Sequence, residues 1–119
     1  MSYVRKTIDE LTAQFGGVVR LVRKDPGITA FGCQIFELPA NAAAPRHNES
    51  TSGQQELYVN LAGDGWIDVD GQRVEFGART LIHVTLESTR QPCAGTDGLM
   101  YLCVGASVDA PYRPGGKFG

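Results

Sequence analysis

Hydrophobic residues along the 119-residue chain fall into short runs that alternate with polar positions. An alternation with a period of two is typical of strands that bury one face. The predicted strands cover residues 18–24, 29–38, 55–62, 65–71, 72–76, 79–86 and 99–106. The segments between them, Gly63-Asp64-Gly65, Asp70-Gly71, Phe76-Gly77 and Gly95-Thr96-Asp97-Gly98, are typical of hairpins and tight turns. Many short strands at near-even spacing predict an all-β antiparallel barrel or sandwich.

Both ends of the chain depart from this pattern. Residues 7–15 place apolar side chains at helical spacing, and Thr7 with Glu10 forms a capping-box pattern, which predicts a short N-terminal helix. Residues 107–119 contain two prolines and three glycines and predict an extended C-terminal arm. The length suits one domain over residues 1–119, with the barrel at about residues 18–106.

Composition and charge argue against some classes of binding partner. Thirteen acidic and eleven basic residues nearly balance, and the basic ones are scattered, which argues against nucleic acid or an anionic membrane as the main partner. No apolar run is long enough to span a bilayer, and the first residues lack the apolar segment of a signal peptide. Cys33, Cys93 and Cys103 show neither paired nor zinc-finger spacing, so we expect free thiols in a cytoplasmic protein. Cys93 and Cys103 are expected to pack as small apolar residues.

The segment 45–63 carries the candidate chemistry. If Glu56 points into the barrel, Tyr58 and Asn60 share its face, because alternate side chains of a strand point the same way. The aliphatic residues then point outward; they are Leu57, Val59 and Leu61. This alternation predicts a polar interior and an apolar exterior that a second sheet or a second subunit must cover.

Residues 45–63 resemble the first motif of the cupin family, in which two histidines and a glutamate precede a strand that ends in glycine. Glu56 lies seven residues before Gly63, which is the separation of the family's glutamate ligand from its glycine. His47 falls near the first histidine, and Glu49 stands in place of the second. The inserted letters "STSGQ" lengthen the interval to Glu56.

Residues 77–92 resemble the second cupin motif and place Arg90 where a third histidine is expected. The resemblance covers roughly residues 30–106 and is to a small, single-domain bacterial subgroup with a degenerate metal motif. It implies a cupin-like antiparallel β-barrel, a jelly roll, which is expected to form a homodimer. Because cupin barrels host many activities, the resemblance implies no particular reaction.

His47, Glu49 and Glu56 together offer an imidazole and two carboxylates, a ligand set that suits a divalent iron, manganese, zinc or nickel ion. Arg90 opposes a metal, because a guanidinium has no lone pair and stays charged. His83 lies mid-strand in "RTLIHVT" and would supply the missing imidazole if its face turned inward.

Three hypotheses follow. The first is a metal-dependent small-molecule enzyme of oxygenase, isomerase or lyase type, in which Arg90 anchors a substrate carboxylate and Tyr58 is the nearest proton donor. The second is a metal-free binding or sensing module, in which Arg90 fixes a small organic anion while His47 and Asn60 add hydrogen bonds. The third is an ion-pair cluster of Arg90 with Glu49 or Glu56 that only completes the barrel.

Overall fold

Seven antiparallel strands pair into one sheet in the computed structural model, which describes residues 2–115 and residue 117. The strands are β1 (Ala13–Gln14), β2 (Val19–Arg20), β3 (Gly32–Leu38), β4 (Gln54–Val69), β5 (Gln72–Glu75), β6 (Leu81–Val84) and β7 (Arg90–Ser107). Their order is β1-β2-β3-β7-β4-β5, and β6 also pairs with β4. The described chain is therefore mainly β-structure, as the alternation predicts.

Strands β4 and β7 pair along most of their lengths and organise the sheet. β4 joins the segments predicted as separate strands at residues 55–62 and 65–71. β7 joins the strand predicted at residues 99–106 to the turn predicted at residues 95–98. The predicted hairpin at Gly63-Asp64-Gly65 is wrong, because β4 continues through it, and the predicted turn at residues 95–98 lies inside β7. The register shifts here between paired residues, and such irregularities bend and twist strands without ending them.

The hairpin at Asp70-Gly71 is confirmed: it joins β4 to β5, and the two residues have φ values of 52° and 85°. Strands β3, β5 and β6 lie within their predicted segments. The first predicted strand, residues 18–24, shrinks to Val19–Arg20.

The predicted helix over residues 7–15 is wrong beyond its first turn. A 3₁₀ helix spans only Ile8–Glu10, although the Thr7 backbone N–H and hydroxyl both donate to Glu10 Oε1 as the capping pattern suggests. The Asp25 carboxylate then accepts hydrogen bonds from the Thr12 N–H and hydroxyl, and the chain continues into β1. Phe15, which the helical spacing placed on a buried face, is 79% exposed. Ile8 is also exposed, and of the apolar stripe only Leu11 is buried. A stripe that covers so little surface does not hold a helix of this length.

A second 3₁₀ turn follows at Phe15–Gly17. Residues 108–115 are exposed and lack helix or strand, in agreement with the expected arm, while residues 116, 118 and 119 lie outside the described part. None of the described helices has the length and apolar character needed to span a lipid bilayer.

Strands β3, β7 and β4 build the inner wall of the barrel. Residues directly opposite each other on adjacent strands form three inward rows, which are Gly32–Gly105–Glu56, Gln34–Cys103–Tyr58 and Phe36–Tyr101–Asn60. Tyr101 stacks on Phe36 with ring centroids 5.1 Å apart and also packs against Tyr58 and Phe76. The aromatic row closes the core, and the glycine row leaves open space beside Glu56.

We predict that Gly63→Ala destabilises the protein more than Gly71→Ala. Both glycines have positive φ, 77° and 85°, so alanine is strained at either position by about 1–2 kcal/mol. At Gly63 the added Cβ would also collide with the Gly98 carbonyl, whereas at Gly71 it meets no atom within 4 Å. Overpacking adds a further 1–3 kcal/mol, roughly, at Gly63 only. Urea midpoints measure the difference, and equal losses would contradict the close approach of β4 and β7.

Candidate functional site

His47 and Glu49 lie on the segment that connects β3 to β4 and runs antiparallel to the start of β7. The His47 N–H donates to the Arg90 carbonyl at 3.0 Å, and the Arg90 N–H donates to the His47 carbonyl at 2.8 Å. Directly paired residues of antiparallel strands place their side chains on the same face. This bridge therefore puts Arg90 beside His47, although the two residues are distant in sequence.

The inserted residues after Glu49 fold into a tight turn. The Gly53 N–H donates to the Glu49 carbonyl at 2.8 Å, and the Ser52 hydroxyl donates to Glu49 Oε1 at 2.7 Å. The Glu49 N–H donates to the Leu86 carbonyl at 2.9 Å. Because the turn closes on Glu49 itself, the longer spacing does not move this carboxylate away from Glu56.

His47, Glu49 and Glu56 converge, with one ligand atom of each lying within 4.8 Å of the other two. His47 Nε2 is 3.2 Å from Glu49 Oε2 and 3.6 Å from Glu56 Oε1, and Nδ1 lies 3.3 Å from the Pro45 carbonyl. The Pro45 carbonyl can accept a hydrogen bond from an Nδ1–H, and Nε2 faces the two carboxylates. In the tautomer with the proton on Nδ1, the Nε2 lone pair is available to a metal ion between the carboxylates. One imidazole and two carboxylates are a donor set that fits a divalent metal.

Glu56 is the most contacted member of this cluster. The Tyr58 hydroxyl donates to its Oε1 at 2.8 Å, and the Cys103 thiol donates to its Oε2 at 3.4 Å. Arg90 Nη2 lies 3.3 Å from Oε1 as an ion pair whose geometry does not meet that of a hydrogen bond. These contacts hold the carboxylate in one orientation toward His47.

Arg90 is fully buried, with 0% of its surface exposed. Its Nη1 donates to the Ser88 carbonyl at 2.6 Å and its Nε donates to the Tyr58 hydroxyl at 3.3 Å. The guanidinium lies behind Glu56 and Tyr58 and is not among the residues that line the adjacent cavity. This position favours a role in orienting Glu56 over direct contact with a ligand carboxylate.

Tyr58 and Cys103 are held in their protonated forms. Burial is the main cause that raises the pKa of the Tyr58 hydroxyl, and the nearby Cys103 and Glu56 raise it further. Burial likewise raises the pKa of the Cys103 thiol, followed by the charge of Glu56 and its hydrogen bond. Both groups therefore act as hydrogen-bond donors to Glu56 at neutral pH.

The remaining predicted residues lie away from the cluster. The Asn60 amide points inward but donates to the backbone carbonyls of Gly63 and Phe76, at 3.2 and 3.0 Å. His83 pairs with Leu57 on the outer face, and its Nε2 lies 3.0 Å from Gln55 Oε1. The predicted alternation is confirmed, because Tyr58 is 2% exposed whereas Leu57 and Leu61 are 36% and 43% exposed.

Sequence reasoning missed two contributors to the site. Cys103 does pack as a buried residue, yet its thiol also contacts Glu56, which the register of β7 against β4 reveals. Ser52, from the inserted turn, orients Glu49. The alternation in β7 could have indicated Cys103, but no pattern in the sequence marks Ser52.

A cavity of about 310 Å³ opens beside the cluster. Its lining includes His47, Glu56, Tyr58 and Cys103, together with Gln34, Gln54 and an apolar wall. A larger groove of about 640 Å³ lies at the other end of the β3–β7–β4 wall, near Leu38, Gly63 and Leu99, and contains no member of the cluster. The smaller cavity is the candidate ligand site, because the convergent polar groups lie there.

No family model and no curated protein matches the chain. Solved structures do resemble it, including a cupin protein of Bacteroides fragilis, with a TM-score of 0.79 and 22% identity over 97% of this chain and 92% of that one. The fold is a cupin barrel. A Cupin 2 conserved barrel domain protein of Salinispora arenicola also superposes, with a TM-score of 0.71 and 15% identity over 92% and 91% of the two chains.

A predicted oxalate decarboxylase of Thermotoga maritima shares the same cupin fold, with a TM-score of 0.61 and 20% identity over 75% of this chain and 76% of that one. The predicted all-β antiparallel barrel is thus confirmed. At these identities the likeness establishes the cupin fold.

We predict strong energetic coupling between Arg90 and Glu56. Arg90→Met leaves the Glu56 carboxylate without its buried cation and should cost about 3–5 kcal/mol of unfolding free energy. Adding Glu56→Gln removes the unpaired charge, so the double variant should lose less than the sum of the two single variants, by about 1–3 kcal/mol.

Chemical denaturation of all four proteins measures this coupling. The exposed pair Arg73–Glu75, with 2.8 Å between Nε and Oε1, provides the control and should couple by less than about 1 kcal/mol. Equal coupling in the two pairs would contradict a buried, orienting role for Arg90.

Proposed function

We propose that this cupin barrel is a metal-dependent enzyme acting on a small organic molecule, with His47, Glu49 and Glu56 as metal ligands. The observation that carries the proposal is the orientation of His47. Its Nδ1 is tied to the Pro45 carbonyl, and its Nε2 faces two carboxylate oxygens at 3.2 and 3.6 Å. A carbonyl acceptor on the second ring nitrogen is a regular feature of histidines that bind metals.

A divalent iron, manganese, zinc or nickel ion bound there would supply Lewis acidity toward a substrate oxygen, water or dioxygen. The chain's own residues would prepare the site. Arg90 offsets one of the two carboxylate charges, and Tyr58, the proton donor predicted from the sequence, lines the cavity with its hydroxyl donating to Glu56. Because Arg90 also opposes a cation at Glu56, we expect weaker metal binding than at a site with four ligands.

The reaction class stays among oxygenase, isomerase and lyase chemistry. One structure with the same fold is named a predicted oxalate decarboxylase, which is compatible with an enzymatic role. The second candidate function is a metal-free binding or sensing module. It is favoured by the hydrogen bonds that Tyr58 and Cys103 already give to Glu56, which satisfy both carboxylate oxygens without a metal.

We also propose a cytoplasmic location. Cys33, Cys93 and Cys103 are all free, and Cys33 and Cys103 are buried. Free cysteines persist in reducing compartments, which supports this expectation.

We predict that the purified protein binds one equivalent of a divalent metal and that binding depends on the cluster. Protein without an affinity tag is dialysed against Fe²⁺, Mn²⁺, Zn²⁺ or Ni²⁺, and metal content and thermal stability are measured. His47→Ala and Glu56→Gln should each reduce affinity at least about tenfold, because each removes one of three ligands.

The matched controls are His83→Ala and Glu75→Gln, which remove the other histidine and an exposed carboxylate and should change nothing. The metal-free module would replace the enzyme if the wild-type protein took up no metal and none of these ions raised its melting temperature.

We also propose that the outer face of β4 and β6 forms a homodimer. Leu57 pairs with His83 and Val59 with Leu81, and Leu81 is 65% exposed. Exposed apolar residues in adjacent positions on two strands are typical of interaction surfaces. Because the face carries no acidic or strongly basic side chain at these four positions, a second copy meets it without burying an unpaired charge.

We predict that Leu57→Glu with Leu81→Glu yields a monomer. Sedimentation equilibrium should give twice the chain mass of 12.8 kDa for the wild type and the single mass for the double variant. Phe15→Glu is the control, since Phe15 is exposed at a different place on the molecule. A monomeric wild type, or a double variant that remains dimeric, would exclude this interface.

A further inference from the structure

Two glutamines in the cavity wall have unused hydrogen-bonding groups. Gln34 and Gln54 both line the cavity, and neither side chain has a hydrogen-bond partner among the described residues. In contrast, Glu56, Tyr58 and Cys103 are engaged with one another. Apart from His47, the unused hydrogen-bonding groups of the described wall therefore belong to two primary amides, each of which can donate and accept.

The cavity wall carries no basic side chain of lysine or arginine among the described residues. Arg90 is fully buried behind the wall, and the nearest charged lining group is the Glu56 carboxylate. A ligand carboxylate bound beside the glutamines would be buried without a cation and would be repelled by Glu56. The wall thus disfavours an anionic group at this place.

Next to the polar groups the wall is apolar. Phe36 and Tyr101 stack on each other in the row beside Gln34 and Cys103, and Ala44, Pro45 and Pro92 also line the cavity. An apolar ligand body packs well against such side chains. The ligand body is therefore expected to be apolar.

Gly32 and Gly105 shape the mouth of this cavity. Both lie within strands and neither has a positive φ, so glycine is not required by the backbone there. A Cβ on Gly105 would lie 2.7 Å from Gln54 Oε1 and 3.6 Å from Glu56 Cγ. Glycine inside a strand weakens it and often marks a place where another group approaches closely. Here that group is the Gln54 side chain, which lines both the cavity and an adjoining surface groove.

We propose that the cavity binds a ligand with an apolar body and an uncharged amide, lactam or similar group. Gln34 and Gln54 recognise it by donating to its carbonyl and accepting from its N–H. This inference rests on the proposed function in placing the ligand in the same cavity, and it specifies the ligand class. It replaces the anion expected from Arg90, whose guanidinium does not line the cavity.

The test compares benzamide with benzoate, two flat molecules of nearly equal size that differ in charge. Binding is followed by NMR through the side-chain amide signals of the glutamines, first in protein treated with a chelator and then with one equivalent of Zn²⁺. Benzamide should bind the chelated protein at least about tenfold more tightly than benzoate does. Gln34→Leu and Gln54→Leu should each weaken benzamide at least about fivefold, while Gln14→Leu, at an exposed position on β1, should not.

The proposal is overturned if benzoate binds equally well, if neither glutamine variant weakens benzamide, or if neither molecule binds at 10 mM, roughly ten-thousandfold above a micromolar dissociation constant. Circular dichroism of each variant confirms that it is folded. Because the comparison is made without metal, a protein that binds benzamide but never Zn²⁺ would refute the metal enzyme alone. A protein that binds Zn²⁺ through His47 but shows no preference for the amide would refute this inference alone.

Discussion

A guanidinium with no exposed surface must have its charge compensated inside the protein, and in this barrel Glu56 compensates Arg90. Tyr58 and the Ser88 carbonyl take two further donors of the guanidinium. The carboxylate of Glu56 is consequently held from behind and cannot turn away from the cavity. His47 and Glu49 approach it from the other side, on a segment that is itself hydrogen-bonded to Arg90. The geometry of the candidate metal site thus depends on one buried ion pair.

The same register that places this pair also brings uncharged amides next to the cluster. The row Gly32–Gly105–Glu56 leaves space beside Glu56, and the next row contributes Gln34, Cys103 and Tyr58. Gln54 lies two residues before Glu56 on the same face of β4. A ligand could therefore place a reactive oxygen at the cluster while a second polar group meets the glutamines, which assigns reaction and recognition to different residues.

Local patterns in the sequence were sufficient for the fold and for part of the site. The period-two alternation of residues 55–62 predicts both faces of β4, and the spacing of Glu56 from Gly63 carries the resemblance to the cupin family that implies the barrel. The continuity of β4 and β7 could not be predicted, because Gly63 and Gly98 look like turn residues and only their close approach shows that they permit a bulge. The predicted helix does not extend beyond its first turn, because Phe15 has no surface to pack against. The spacing of residues along the sequence cannot show whether such a surface exists.

The role of Arg90 could not be predicted for a similar reason. Its place in the motif indicates that it reaches the site, but its contacts with Glu56 and Tyr58 depend on the pairing of β7 with β4, which is distant in sequence. The alternation of residues in β4 could have predicted that Gln54 faces the cavity, because it lies two residues before Glu56 on the same face.

The central claim is that a cation lies between His47 Nε2 and the two carboxylates. Long-range ¹H–¹⁵N NMR of the imidazole nitrogens tests it directly, with His83 as an internal reference because the chain has two histidines. On addition of one equivalent of Zn²⁺, the Nε2 signal of His47 should shift strongly, its Nδ1 should remain protonated, and His83 should not change. An unchanged His47, or a response at Nδ1 in place of Nε2, would contradict the account.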